Sequence, residues 1–363
     1  MRAPTGLVSL VFRDPGAIHR FSIGDWDRAV RQARETGLLA RLHALLQQEG
    51  LDASIPAVAH WHFEVATALA ISHQCRGRRE LRRLCALLAG PDPLIVLKGA
   101  AYLAADLSAA RGRTIDEIDL LVPSERRDEV ESTLRRADWH AVDLPDYDQR
   151  YYRRWKIDAP RRQHLVCSTA INIYLAIVPD AARFRPDAAT LCRSATAVPG
   201  FPGFAVLSAK DRVLHAATLL CHDDGLQNGL RDLSDLDLLL REAATEADFW
   251  SQLVTRAEEM ELGRPLFYAL RYARHFFGTP VPDEVRDHLT SASPSVATLK
   301  LMDAIYTRLL ESTHHSGVDA LTPLARRAAY MRAHWLRRPP RSLVPHLLHK
   351  ILVSPDQRDP KPA

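Results

Sequence analysis

Apolar residues recur at helical spacing through the first ninety positions. Trp26, Ala29, Val30 and Ala33 line one face of a helix that Asp25 is placed to cap and Gly37 to stop. A second helix is expected over 38–48 and a longer one over 57–88, rich in Ala, Leu, Arg and Glu and free of proline. Gly90, Pro91 and Pro93 end that stretch. The texture then changes. Leu94-Ile95-Val96-Leu97 is an unbroken apolar run, the pattern of a strand buried on both faces, and Lys98-Gly99 closes it.

A short helix over 100–107, a polar loop over 110–113 and a strand over 115–122 follow. Next come a charged helix over 124–136 with Ser124 as N-cap and strands over 139–144, 163–166 and 170–178. In the last of these Ile171, Ile173, Leu175 and Ile177 alternate with Asn172, Tyr174 and Ala176, so the two sets face opposite ways. After Pro202 and Gly203 helical spacing returns over 210–222, 230–242, 249–260 and 266–277. Gly278, Pro280 and Pro282 break it before helices over 297–310 and 323–335. From Pro339 the chain is basic and proline-rich, with a short helix expected over 344–352 and a loose tail. This order predicts an α+β fold, a small mixed β-sheet core with helical N-terminal and C-terminal lobes. The expected segments are a helical lobe 1–90, an α/β core 91–203, a helical lobe 204–345 and a tail 346–363.

Composition narrows the function. The 363 residues carry 48 basic and 44 acidic side chains, a net charge of +4, too balanced to indicate nonspecific nucleic-acid binding. The cluster Arg150, Arg153, Arg154, Lys156, Arg161 and Arg162 is either a phosphate-facing patch or a solvated surface. Five scattered cysteines with no CxxC pair suit a reducing cytoplasm, and no structural zinc site is expected from them. No run approaches the ~18 apolar residues that cross a bilayer.

The stretch with chemical content is Leu97-Lys98-Gly99 followed by Asp116-Glu117-Ile118-Asp119. On a strand Glu117 and Asp119 project from one face, and two carboxylates so close resist ionising together unless a cation lies between them. Beside a glycine turn that lets phosphate approach backbone, they suit Mg²⁺ and a triphosphate. An acidic strand edge facing water is the plain alternative.

Context adds a resemblance. Leu97-Lys98-Gly99-Ala100, Arg113 and the Glu-Ile-Asp-Leu-Leu-Val run at 117–122 resemble the core of an uncharacterised bacterial nucleotidyltransferase family of the polymerase-β-like superfamily. The similarity continues through Tyr151-Tyr152-Arg153-Arg154-Trp155, His164, residues 183–191, Leu207 to Asp211 with Leu214-His215, Gly229 to Leu233 with Asp235-Leu236-Asp237, and Arg264 to Tyr272. It covers roughly residues 90 to 285, and the ordered series is more specific than any one piece. It implies transfer of a nucleoside monophosphate from an NTP to a hydroxyl acceptor, with Mg²⁺ or Mn²⁺ on paired acids and a third acid as base. The pair falls on Glu117 and Asp119, and the third position on Asn172. Lys98 and Gly99 fall on the turn at the triphosphate, and Arg113 and His164 are expected on the nucleotide side. No membrane partner and no sequence-specific nucleic acid is expected.

Two of the three acid positions depart from the pattern. Glutamate at 117 adds a methylene, moving the carboxylate by about an ångström, which Mg²⁺ tolerates poorly. Asparagine at 172 brings no charge and cannot take a proton. Ile157, Tyr174, Leu175 and Leu219 stand where the family usually has histidines. Asp116, if a bulge turned it inward, and Asp158 are spare carboxylates. Weak metal binding is therefore expected, and a catalytically degenerate protein that binds nucleotide or a partner stands as the alternative. Asp235 and Asp237 imitate the acid pair but lie in a helical leucine pattern, where residues two apart diverge, so a structural role is expected. His222 with Asp223 and Asp224, the pair His314-His315, and the aromatics at 151, 152 and 155 each have a structural explanation as well as a functional one.

Overall fold

The computed structural model describes residues 6–90, 92–141, 161–164, 169–177, 188–222, 226–311 and 318–337. The Tyr151–Trp155 aromatics, Ile157, Asp158, most of the basic cluster, Asp223, Asp224, His314, His315 and the tail lie outside them.

Four helices come first: α1 (Leu7–Arg13), α2 (Ile23–Glu35), α3 (Leu39–Gln48) and α4 (Ala57–Leu87). The sheet region follows with β1 (Leu94–Leu97), α5 (Lys98–Ala104), β2 (Glu117–Leu121), α6 (Arg127–Arg136), β3 (Trp139–Ala141), β4 (Arg162–His164), β5 (Ala170–Tyr174), α7 (Ala188–Arg193), β6 (Thr196–Ala197) and β7 (Phe204–Val206). The remainder is helical: α8 (Ala209–His222), α9 (Gly229–Ala243), α10 (Phe249–Glu259), α11 (Gly263–Phe277), α12 (Asp283–His288), α13 (Val296–Leu309) and α14 (Thr322–Arg337). The fold is thus α+β, with helical lobes flanking one seven-stranded mixed sheet in the order β3-β4-β5-β2-β1-β7-β6. The central strands β1 and β2 are almost wholly buried, as the apolar run of β1 requires, and β2 buries Asp119 with its apolar residues. No helix among the described residues is long and apolar enough to cross a membrane.

Several local expectations shift. Ser22, not Asp25, caps α2. Its extended backbone lets its side chain accept from the Asp25 N–H, while the Asp25 carboxylate accepts from the Ser22 N–H in a capping box. Ser124 opens a 3-10 turn and caps nothing; α6 starts three residues later. The strands β6 and β7 were not expected, because two or three residues are too few to display a period, and β7 lies beyond the expected core limit at 203. The strand expected over 170–178 ends at Tyr174.

A buried charge cluster joins α3 and the approach to β2 to α9. Asp235 on α9 lies 2.7 Å from Arg41 of α3 and 2.9 Å from Arg113, which precedes β2. The contacts are close in distance but off the hydrogen-bond line, so they act as ion pairs. Arg41 is further held by the Ser234 hydroxyl and by the carbonyls of Ala109 and Arg111. Gly112, at φ +63°, permits this approach, because a Cβ there would collide with the Arg41 backbone. Asp235 is therefore structural, as its place in a helix implied.

Removing the shared acid strands two buried guanidinium groups. Asp235→Ala is expected to cost about 3–5 kcal/mol in urea unfolding, and Asp235→Asn less, because the amide oxygen still turns partial negative charge toward the two guanidinium groups. Equal and small losses in both variants would show that the cluster contributes little.

Candidate functional site

The site forms where β2 runs between β1 and β5. In the antiparallel β1–β2 pair Leu97 faces Asp119, and in the parallel β2–β5 pair Asn172 faces Asp119. Glu117, Asp119 and Asn172 therefore converge on one face of the sheet. The Asn172 amide nitrogen donates to Asp119 Oδ1 at 2.9 Å and to Glu117 Oε2 at 3.0 Å. Asp119 and Asn172 are buried, and Glu117 is half-buried.

Lys98 turns into the same space. It follows β1 directly and has φ +52°, a left-handed conformation uncommon for a residue with a side chain. Its ammonium donates to Asp119 Oδ1 at 3.2 Å and to the Tyr174 hydroxyl at 2.7 Å. Tyr174, two residues beyond Asn172 and on the same face, thus takes part in the site by holding Lys98. Burial works against the Lys98 charge, but Asp119, then Tyr174 and Glu117, outweigh it and hold its pKa well above the ordinary lysine value. Glu117 is pushed upward, first by the Asp119 charge and then by burial, against Lys98, Asn172 and Arg161. Arg161 Nη1 lies 3.7 Å from Glu117.

His215 of α8 is buried and feels both Lys98 and Asp119. Burial first, then the Lys98 charge, lower its pKa to about 3, so it is neutral at physiological pH.

Gly99 and Arg113 lie against each other next to this group, and the Glu117 charge reaches Arg113. Gly99 is buried, and the space a side chain there would take is filled by Arg113, whose Nε lies 2.6 Å from the position of such a Cβ. Arg113 itself is buried against Asp235 rather than open to a pocket. His164 packs on Trp139 and lies 3.1 Å from Arg83. Asp116 does not turn inward; its carboxylate lies 2.7 Å from His73 while its carbonyl accepts the Ala170 N–H. Arg162 is buried on Glu131, and His222 is buried with Nδ1 2.8 Å from the Thr218 carbonyl. Among the described residues, three His, Cys, Asp or Glu ligand atoms come together only at His43, Asp52 and His60, on the N-terminal helices. Sequence reasoning passed over them, since their spacing matches no metal motif.

An acid-x-acid strand beside a lysine-glycine turn, on a mixed sheet flanked by helices, is the arrangement that the resemblance to nucleotidyltransferases implied. Residues 23–278 match the model of a family described as uncharacterised nucleotidyltransferase, and the chain belongs to that family. No curated protein and no solved structure matches it.

Two titrations follow. The His215 imidazole is expected to stay neutral in an NMR titration from pH 7 to about pH 4, where an exposed histidine would already have protonated near 6.5. For Glu117 the folded state binds its proton more tightly than the unfolded chain. Stability therefore falls as pH rises from the ordinary glutamate range, about 4.3, to the raised value, and the cost persists above it. Glu117→Gln is accordingly expected to melt higher than the parent at neutral pH without added metal. That gain should vanish below about pH 4.

Proposed function

We propose that this protein is a nucleotidyltransferase that uses Glu117 and Asp119 to transfer a nucleoside monophosphate from an NTP to a hydroxyl acceptor. The observation that carries the reading is the convergence of both carboxylates and Asn172 beside Lys98. The donor set suits one divalent cation: two oxygen ligands sit close enough to repel, and that repulsion is what holds Glu117 upward. Bound there, Mg²⁺ or Mn²⁺ would neutralise triphosphate charge.

The chain's own groups do the rest. Lys98 offers an ammonium to phosphate oxygens once it leaves Asp119. In the reaction the acceptor oxygen bonds to the α-phosphorus, the bond to the bridging oxygen breaks, and pyrophosphate leaves. The acceptor's proton has no carboxylate at 172 to receive it, so it passes to water. A missing base costs on the order of 10²–10⁴ in rate, so turnover is expected to be slow.

One observation favours a second reading, nucleotide or partner binding without turnover. The Asn172 amide bridges both carboxylates, and Lys98 balances one of them, so the acids are largely satisfied by the protein itself.

The two readings separate in a mass-spectrometric screen for NMP adducts and pyrophosphate, with each NTP and Mg²⁺ or Mn²⁺. Slow transfer by the parent chain that disappears in Asp119→Ala supports the enzyme. In that case Glu117→Asp with Asn172→Asp should raise the rate by about 10²–10⁴. Transfer only in the double variant supports the second reading. No transfer in either, with NTP still bound, would remove the first.

A further inference from the structure

We infer that His43, Asp52 and His60 form a separate metal site, built for a zinc-class transition ion rather than Mg²⁺. His43 lies on α3, Asp52 opens the 3-10 turn Asp52–Ser54, and His60 lies in the first turn of α4. One ligand atom from each falls within 4.8 Å of the others. His43 Nε2 lies 2.9 Å from Asp52 Oδ1, and His60 Nε2 lies 3.5 Å from Asp52 Oδ2. A four-coordinate zinc ion with bonds of ~2.0–2.2 Å holds its ligand atoms about 3.3 Å apart; here each histidine approaches a different oxygen of the Asp52 carboxylate, at distances near that value.

The far side of each imidazole is also provided for. Nδ1 of His43 lies 2.8 Å from the Thr67 hydroxyl, and Nδ1 of His60 lies 3.5 Å from a Glu64 carboxylate oxygen. Metal-binding histidines are typically oriented in this way, by a partner that takes the Nδ1 proton and leaves the Nε2 lone pair for the ion. With the His43 proton on Nδ1, the Gln47 amide, 3.2 Å from Nε2, donates to the ring; with it on Nε2, the ring donates to Asp52 Oδ1, and a cation would take that proton's place. The His43 ring is buried and packs on Phe63, with centroids 5.5 Å apart, so its direction is set by the core.

Asp52 and His60 border an open pocket of about 460 Å³, shared with Ile55, Trp61 and Glu64, which leaves room for a water ligand on the ion. Two imidazoles and one carboxylate suit zinc and its neighbours, whereas Mg²⁺ prefers an all-oxygen shell such as Glu117 and Asp119 offer. The ion would tie the middle of α3 to the start of α4 across the 49–56 connection. Cysteine counting could not reveal it, since none of its ligands is a cysteine.

The test uses the full chain, stripped with a chelator and then dialysed against Zn²⁺ in the presence of excess Mg²⁺, with bound metal measured by elemental analysis. His60→Ala and Asp52→Asn alter partly exposed side chains, and circular dichroism checks their folding. The expected result is one zinc per parent chain, a higher melting temperature with zinc, and binding roughly 100-fold weaker in both variants. Co²⁺ in the parent should give the intense visible bands of four-coordinate geometry. Asp119→Ala should keep its zinc, which separates this site from the acid pair. Zinc binding that is absent from the parent, displaced by Mg²⁺, or unchanged in both variants would overturn the assignment.

Discussion

The register of β2 between its two neighbours is the constraint on which the site depends. Leu97 and Asn172 both stand opposite Asp119, one across an antiparallel ladder and the other across a parallel one. A slip of one residue in either pairing would send the carboxylates to the other face of the sheet. The buried apolar residues Ile118, Leu120, Ile171 and Ile173 prevent that slip, because each would have to exchange places with a polar neighbour. Core packing in this way fixes where charge accumulates. The left-handed turn at Lys98 then brings the balancing charge to the same point.

Electrostatics explains why asparagine at 172 is comfortable there. A carboxylate at that position would put a third negative group within contact of two others, and Lys98 could balance only one of them. The amide removes that repulsion and supplies two hydrogens, one to each acid. With Arg161 near Glu117, the cluster comes close to neutrality without help. An amide cannot take up a proton, and it attracts a divalent ion less than a carboxylate would.

Much of this was legible in the chain. The apolar run at 94–97, the strand pattern over 115–122 and the alternation after Ala170 located the three central strands and the facing of Glu117, Asp119 and Asn172. The leucine spacing around Asp235 identified it correctly as structural. Other features depend on distance in space. Arg113 matched the ordered series, yet nothing in its neighbours along the chain shows that Asp235, 122 positions on, would bury it. Gly99 suggested a close approach to backbone, and the space a side chain there would take is filled by Arg113. Tyr174 was noted as a departure from histidine, but its grip on Lys98 follows only from the sheet register. The His43, Asp52 and His60 group escaped notice for the same reason, since two helices and a turn must meet before the ligands do.

The residues that carry the family resemblance therefore divide by task. Lys98, Glu117, Asp119 and Asn172 meet at the acids. The larger share holds the frame. Arg113 and Asp235 bind α9 to the approach to β2, and Ser208 with Arg256 fastens the start of α8 through the buried Asp211. Asp237 holds Thr279 and Arg241 between α9 and the end of α11. The second set is joined by buried ion pairs. A frame of buried ion pairs tolerates little, because losing one partner strands the other in low dielectric. The site, nearer solvent and carrying repulsion of its own, tolerates more. Similarity along the series consequently speaks more strongly for the fold than for the rate, and the chemistry has to be judged at Asn172 and its two acids.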